Sequence, residues 1–165
     1  MRHLQTLCIT LILSLLMAGP ALAISKGTSA PSFEIVTLDG TEIDLQEYTE
    51  EGPVLLFFWS TWCDYCKHEM EAIQDLESEY ASKGLQVLGV NPGWRDNEQR
   101  ARSFQDKYGA DLTLAIDQSG NLGQKYRLQG VPTLFLLDQE GTVMFSGHNI
   151  SPELRSTLDQ YLSES

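Results

Sequence analysis

Apolar runs alternate with amphipathic segments along most of the chain. Residues 33–45, with Asp39-Gly40 at their centre, predict a hairpin of two short strands. The continuous apolar run at 54–59 is typical of a strand that is buried on both faces of a sheet. In the next segment, apolar residues recur every three or four positions and therefore share one face of a predicted helix: Cys66, Met70, Ile73, Leu76 and Tyr80.

The rest of the chain continues this alternation of strands and helices. Further strands are predicted at 85–91, at 112–116 and in two parts of 133–147, and further helices begin near Asp96 or Asn97, at Leu122 and at Pro152. Ser151, Pro152 and Glu153 form a strong helix start, because serine caps the N-terminus, proline suits the first helical position and an acid complements the helix dipole. The pattern predicts an α/β fold with a sheet covered by helices on both faces.

The first 23 residues have the three parts of a secretory signal peptide. Arg2 and His3 precede an apolar stretch at 7–17, and Ala21-Leu22-Ala23 follows it. This apolar stretch is much shorter than the roughly 20 residues that a membrane-spanning helix needs, so cleavage after Ala23 is favoured over an uncleaved anchor. Residues 24–165 are then expected to form a single domain, in the periplasm or another extracytoplasmic space.

Charge narrows the range of partners. The chain has 11 Lys and Arg residues against 23 Asp and Glu, and its formal net charge is −12. Such a charge repels phosphate backbones and anionic membrane surfaces, so we expect no nucleic-acid partner. A monomer with a well-solvated surface is expected.

Cys63 and Cys66 remain after removal of the segment that contains Cys8. A bridge across so short a loop removes little chain entropy from the unfolded state, so stabilisation is a poor explanation for this pair. The pair lies where a buried strand passes into a helix, and a helix N-terminus favours a thiolate at Cys63. Cys66 lies on the buried face of the helix, where it is shielded but able to attack a mixed disulfide on Cys63.

Motifs far apart in the chain together resemble the thioredoxin fold: WCDYC after VLLFFWST, and then GVPTLFLLD and GTVMFSG. The added hairpin APSFEIVTLDGTEIDL and the insert from LGVNPGWRD to KYGADLTLAID are similar to the TlpA/ResA branch of exported thiol-disulfide oxidoreductases, which are related to redoxin and AhpC/TSA proteins. The similarity runs from about Ala30 to Leu162. It implies a central mixed β-sheet flanked by helices, an N-terminal β-hairpin and a central strand-helix insert.

The resemblance also implies a site around a redox-active disulfide. At this site, the resemblance makes Cys63 the nucleophile and Cys66 the resolving thiol. Pro132 matches the family's cis-proline, which leaves the backbone of Val131 free to pair with a substrate strand. Trp62 matches the aromatic residue before the nucleophile, with core packing as the alternative for this side chain.

Glu69 is a candidate proton carrier for the resolving thiol. Phe57 stands where thioredoxins have a buried aspartate, six residues before the first cysteine, so that acid is missing here. ResA-like proteins instead have a glutamate three residues after the second cysteine, and Glu69 occupies that position. On a helix it lies one turn from Cys66 and could manage its proton. A solvated helix acid is the alternative interpretation of Glu69.

The implied function is the reduction of disulfides in exported proteins, for example in cytochrome c maturation. A membrane thiol electron donor would restore the dithiol, and neither an organic cofactor nor a metal is required. The carboxylate of Asp64, next to Cys63, should raise the pKa of the thiol, and this favours a reducing protein, although Lys67 offsets part of the effect. An oxidase or isomerase of the same fold is the alternative direction.

Metal binding and peroxidase activity are weaker hypotheses. A zinc site would need two more thiols or imidazoles than the cysteine pair, and residues 24–165 offer only His68 and His148. A copper-handling module could use the two cysteines with His148. A peroxiredoxin-like enzyme would place proline and threonine upstream of its cysteine, whereas this chain has Leu56 and Ser60 at those offsets.

Overall fold

The computed structural model describes residues 24–108 and 111–164. The predicted signal peptide at 1–23 lies outside these residues, so its presence and cleavage stay predictions, as does the domain boundary at residue 24. None of the helices within the two described ranges has the length and apolarity needed to cross a membrane.

Five strands form the central sheet. In chain order they are β3 (Val54–Phe58), β4 (Gln86–Asn91), β5 (Thr113–Ile116), β6 (Thr133–Leu137) and β7 (Val143–Gly147). Their order across the sheet is β5-β4-β3-β6-β7. Since β3 is parallel to β4 and antiparallel to β6, the sheet is mixed, as predicted.

The central strand β3 is buried along its whole length. It has a neighbouring strand on each side, and helices cover both faces of the sheet. Successive side chains of a strand point to opposite faces. Leu55 and Phe57 therefore join the core on one face, while Leu56 and Phe58 join the core on the other.

In the part of the chain that the structure describes, five α-helices cover the two faces of this sheet: α1 (Leu45–Glu50), α2 (Asp64–Tyr80), α3 (Glu98–Tyr108), α4 (Asn121–Lys125) and α5 (Pro152–Glu164). Side chains of α2, α3 and α5 belong to one core, and side chains of α1 and α4 belong to the other. The buried residues of α2 are the five that the sequence pattern predicts. Trp59, directly after β3, stacks on Phe104 of α3 with the ring centroids 4.7 Å apart.

The predicted N-terminal hairpin is present as the antiparallel strands β1 (Glu34–Val36) and β2 (Glu42–Asp44). Helix α1 follows it directly and was not predicted. Asp44 caps α1 by accepting a hydrogen bond from the N–H of Gln46 at 2.7 Å, and Glu47 lies in the first turn. An aspartate followed three residues later by a glutamate is a helix-start signal, but the hairpin assignment extended across it.

The N-terminal segment also covers part of each edge of the central sheet. On one edge, the N–H of Leu38 donates to the carbonyl oxygen of Leu114 in β5 at 2.7 Å. On the other edge, the N–H of Val143 in β7 donates to the carbonyl oxygen of Thr28 at 2.9 Å. Covered edges do not offer their backbone groups to other chains. The hairpin and the residues before it are thus part of the sheet's protection.

Candidate active site

The two predicted cysteines meet at the junction of β3 and α2. Cys63 and Cys66 form a disulfide, with their Cα atoms 5.2 Å apart. Cys63 is the N-cap of α2, and its sulfur accepts a hydrogen bond from the N–H of Cys66 at 3.1 Å. Cys63 is 6% exposed and Cys66 is completely buried. Cys63 is therefore the less buried of the two cysteines, and the N–H and the helix dipole favour negative charge at its sulfur.

The segment before β6 lies directly beside Cys63. The Val131–Pro132 peptide bond is cis, as the resemblance implies. The carbonyl oxygen of Val131 is 3.5 Å from the sulfur of Cys63. Among the described residues, the backbone N–H of Val131 donates no hydrogen bond. An extended chain could therefore pair with Val131 next to the reactive sulfur.

A groove of about 570 Å³ opens between the disulfide region and the end of β7, and we call it the active-site groove. Its lining includes Tyr65, Glu69, Val131, Pro132, His148 and Asn149. The sequence predicts three of these as site residues: Glu69, Val131 and Pro132. The sequence suggests His148 only as a metal ligand and gives no signal for Asn149, because the pairing of β6 with β7 brings the end of β7 to Pro132.

Glu69 is not a fully solvated acid. Its side chain is partly buried, and its carboxylate accepts a hydrogen bond from the backbone N–H of Ile150 at 2.9 Å. This bond joins α2 to the loop between β7 and α5. The position of Glu69 in the groove is compatible with a role in proton transfer, and that role stays a prediction.

Two exposed aromatic side chains flank Cys63 in the sequence. Trp62 is 50% exposed, so the alternative that it packs in the core is wrong. Its indole N–H donates to the carbonyl oxygen of Trp94 at 2.7 Å. Tyr65 is 78% exposed and lies on the groove side. Trp94 itself packs against α4, where a Cβ on Gly123 would come within 2.8 Å of the ring.

The charged residues that follow Cys63 form an ion pair. The ammonium group of Lys67 lies 2.6 Å from the carboxylate of Asp64. Their hydrogen bond lowers the pKa of Asp64 below its usual value and raises the pKa of Lys67 above its usual value. Lys67 therefore balances the charge of the Asp64 carboxylate. The prediction that Asp64 raises the pKa of the Cys63 thiol relied on this charge.

Asp96 fixes the loop that leads into Cys63. Its carboxylate accepts hydrogen bonds from the N–H of Thr61 at 2.8 Å and from the hydroxyl of Thr61. It also accepts one at 2.8 Å from the amide group of Asn91, which is completely buried at the end of β4. The sequence pattern predicts a helix start at Asp96 or Asn97, and Asn97 has that role: its side chain accepts a hydrogen bond from the N–H of Arg100 at 3.0 Å.

Two further predictions from the sequence concern the missing thioredoxin aspartate and the zinc or copper site. Phe57 is completely buried in β3, at the position where thioredoxins have an aspartate. Within 24–108 and 111–164, no group of three or more histidine, cysteine, aspartate or glutamate side chains is arranged to hold a metal ion.

Comparisons with known proteins agree with this geometry. The family model of the AhpC/TSA family matches residues 26–146. The chain is 35% identical over 139 residues to thioredoxin-like protein YneN of Bacillus subtilis, covering 82% of this chain and 80% of that protein. It is 30% identical over 139 residues to thiol-disulfide oxidoreductase ResA of Bacillus thuringiensis, covering 84% of this chain and 77% of that protein.

Solved structures support the same fold. A protein from Chlorobium tepidum, assigned as a thiol:disulfide interchange protein DsbE, superposes with a TM-score of 0.71 at 28% identity, covering 86% of this chain and 98% of that chain. The thioredoxin domain of a Bacteroides vulgatus thiol-disulfide oxidoreductase gives 0.75 at 19% identity, covering 85% and 99%. The second likeness concerns the fold alone. The predicted thioredoxin-like fold is confirmed.

The contacts of Asp96 give a first prediction. Asp96→Ala should lower the free energy of unfolding by about 2–3 kcal/mol, because it leaves the Thr61 N–H and the buried Asn91 amide without their acceptor. Urea unfolding of the oxidised protein, followed by circular dichroism, measures this change. Asp106→Ala is the matched control, since it removes an exposed aspartate of α3 and should change stability by less than about 0.5 kcal/mol. Equal losses in both variants would contradict the assignment.

Proposed function

We propose that this chain, which belongs to the AhpC/TSA family and is a thiol-disulfide oxidoreductase of thioredoxin fold, reduces disulfides in exported proteins. The observation that carries the proposal is the Cys63–Cys66 disulfide at the N-terminus of α2, beside the open backbone of Val131. Export is inferred from the signal-like segment at 1–23. Thiol- or disulfide-bearing proteins are the inferred substrates because relatives are named thiol-disulfide oxidoreductases. Apocytochrome c is one candidate, on family resemblance alone.

The proposed reaction moves two electrons from the enzyme to the substrate. The Cys63 thiolate attacks one sulfur of a substrate disulfide and forms a mixed disulfide, while the other substrate sulfur leaves as a thiolate and takes up a proton. Cys66 then loses its proton and attacks the sulfur of Cys63. The second substrate sulfur leaves and is protonated, and the Cys63–Cys66 disulfide closes. A membrane thiol donor returns two electrons and regenerates the dithiol.

Exposure supports the assignment of the two cysteines to these steps. Cys63 is the less buried of the two cysteines, and its sulfur accepts a hydrogen bond from the N–H of Cys66, so we expect the thiolate to form and to react at Cys63. Cys66 is completely buried and can be reached by the Cys63 sulfur after a substrate has bound covalently.

Substrate binding is proposed to use the backbone of Val131 and the two exposed aromatic rings. An extended segment that pairs with Val131 would place its own sulfur near Cys63. The exposed rings of Trp62 and Tyr65 would make apolar contacts with this segment near Cys63. Exposed aromatic residues are common anchors in protein interfaces.

The charges around Cys63 favour a reductase. A strong oxidant of this fold needs a heavily stabilised thiolate, because stabilising the reduced form raises the reduction potential. Here Lys67 is bound to Asp64, so its charge adds little to the stabilisation of the thiolate. The helix N-terminus remains as the main source of stabilisation.

Trapping tests the proposed reaction directly. Cys66→Ser, expressed in the native exported compartment, should accumulate mixed disulfides on Cys63, because the resolving step is blocked. These adducts should disappear on reduction, and their partners can be identified by mass spectrometry. Cys63→Ser is the matched control and should trap nothing. Adducts on the Cys63 variant and none on the Cys66 variant would show that the roles are reversed.

Glu69→Gln tests proton transfer separately from the contact with Ile150. The amide oxygen of glutamine can still accept the Ile150 N–H, but an amide cannot take up a proton as a carboxylate does. The resolving step should slow at least about tenfold at neutral pH and recover as the pH rises, with the fold intact. Stopped-flow kinetics across a pH series measure this step. An unchanged pH profile would restrict Glu69 to holding the loop.

The reduction potential tests the direction of electron flow. We expect a value nearer the roughly −270 mV of thioredoxin than the about −120 mV of the strongest periplasmic oxidant. Equilibration with glutathione buffers, followed by thiol alkylation, measures it. A potential above about −150 mV would favour an oxidase instead.

Two substitutions in the Asp64–Lys67 ion pair test the electrostatic argument, because they should shift the reduction potential in opposite directions. Asp64→Asn should raise the potential by about 10–20 mV, since it frees the Lys67 charge to stabilise the thiolate. Lys67→Gln should lower the potential by a similar amount. Shifts of the same sign in both variants would contradict the electrostatic argument.

A further inference from the structure

We infer that His148 is a positioning residue that holds the substrate-binding backbone at Pro132 and thereby favours polypeptide disulfides over small ones. The inference rests on the proposed function, because it assumes that substrates are proteins whose chain pairs beside Cys63. In the sequence, His148 is a candidate for metal binding only.

The position of His148 follows from the pairing of β6 with β7. Gly147, the last residue of β7, is paired with Leu134, so the next residue lies beside the segment that precedes β6. Nδ1 of His148 is 2.9 Å from the carbonyl oxygen of Pro132. A carbonyl oxygen can only accept, so Nδ1 carries the hydrogen. The imidazolium form also carries a hydrogen on Nδ1, so protonation of the ring keeps this donor.

The loop that carries His148 is held from the opposite side as well. Two residues later, the N–H of Ile150 donates to Glu69 of α2 at 2.9 Å. The loop at 148–150 therefore contacts Pro132 on one side of the active-site groove and Glu69 on the other. These two hydrogen bonds link residues of the groove's lining that belong to different elements.

The bond to Pro132 acts on the backbone that a substrate would use. Pro132 has no N–H, and Val131 directly precedes it. On the other side of Val131, the hydroxyl of Thr133 donates to the carbonyl oxygen of Gly130 at 2.8 Å. His148 thus supplies the side-chain contact at the Pro132 end of this short segment. Without it, we expect Val131 to lose its register relative to the sulfur of Cys63.

Small and large substrates depend differently on this register. A small aromatic disulfide needs access to the sulfur of Cys63, whereas an extended polypeptide must also align its backbone with Val131. His148 is exposed, so removing its ring should leave the core packing intact. The expected effect is therefore a change in selectivity, not a loss of fold.

The test compares insulin, whose disulfides lie in polypeptide chains, with the small disulfide 5,5′-dithiobis(2-nitrobenzoate), in single-turnover reactions. The enzyme is first reduced with dithiothreitol and then separated from it, because free dithiothreitol reduces both disulfides directly. His148→Ala should lower the ratio of the second-order rate constant for insulin to that for the small disulfide by about three- to tenfold, the effect of one exposed neutral hydrogen bond. The loss should appear mainly as a higher half-saturating concentration of insulin. His148→Gln, whose amide N–H can donate to Pro132, should restore most of the ratio.

His68→Ala is the matched control, because it removes an exposed histidine of α2 and should leave the ratio unchanged. An unchanged ratio in His148→Ala, or an equal fall with both substrates, would overturn the inference. Failure of His148→Gln to restore the ratio would also overturn it, since the hydrogen bond would not be the cause. If the unmodified enzyme turns over the small disulfide but not insulin, the proposed substrate class fails, and the role of His148 in selecting polypeptides fails with it.

Discussion

The hydrogen bond from the N–H of Cys66 to the sulfur of Cys63 is the contact on which the rest of the site depends. It exists because Cys63 caps α2 while Cys66 lies one turn inside, on the helix face that the core buries. That burial in turn requires β3 to deliver the chain to the start of α2 from the middle of the sheet. One backbone N–H thereby couples thiolate stability to the packing of the whole domain, since any shift of α2 on the sheet would change its direction.

Three loops meet around this contact, and each is fixed by a hydrogen bond from a distant part of the chain. Asp96 holds the loop before Cys63 against the end of β4. His148 holds the segment of Pro132, and Glu69 holds the loop that carries His148. Loops that bear reactive groups need such support, because their own backbone lacks the regular bonding of helices and strands. The core places the cysteines, and these polar contacts set the shape of the surface that a substrate meets.

Local charge and total charge act on different properties of this protein. The formal net charge of −12 concerns solubility and the choice of partners at long range. At the site, Lys67 balances the charge of the Asp64 carboxylate next to Cys63. The helix N-terminus then dominates the electrostatics of the thiolate. A reducing enzyme is compatible with this balance, because moderate stabilisation of the thiolate keeps the dithiol a good electron donor.

The sequence alone determined most of the elements and the class of chemistry. Apolar periodicity is a local property, so it identified β3 and the buried face of α2. The cysteine pair together with the distant GVPT motif identified the exchange reaction through a family resemblance. Helix α1 was missed although Asp44 signals its start, because the hairpin assignment extended across that signal. Tertiary structure decided what Asp96, Glu69 and His148 contact. Their partners lie 35, 81 and 16 residues away in the chain, and no periodic pattern encodes such distances. The order of strands in the sheet brings these groups together, and that order results from packing the whole chain.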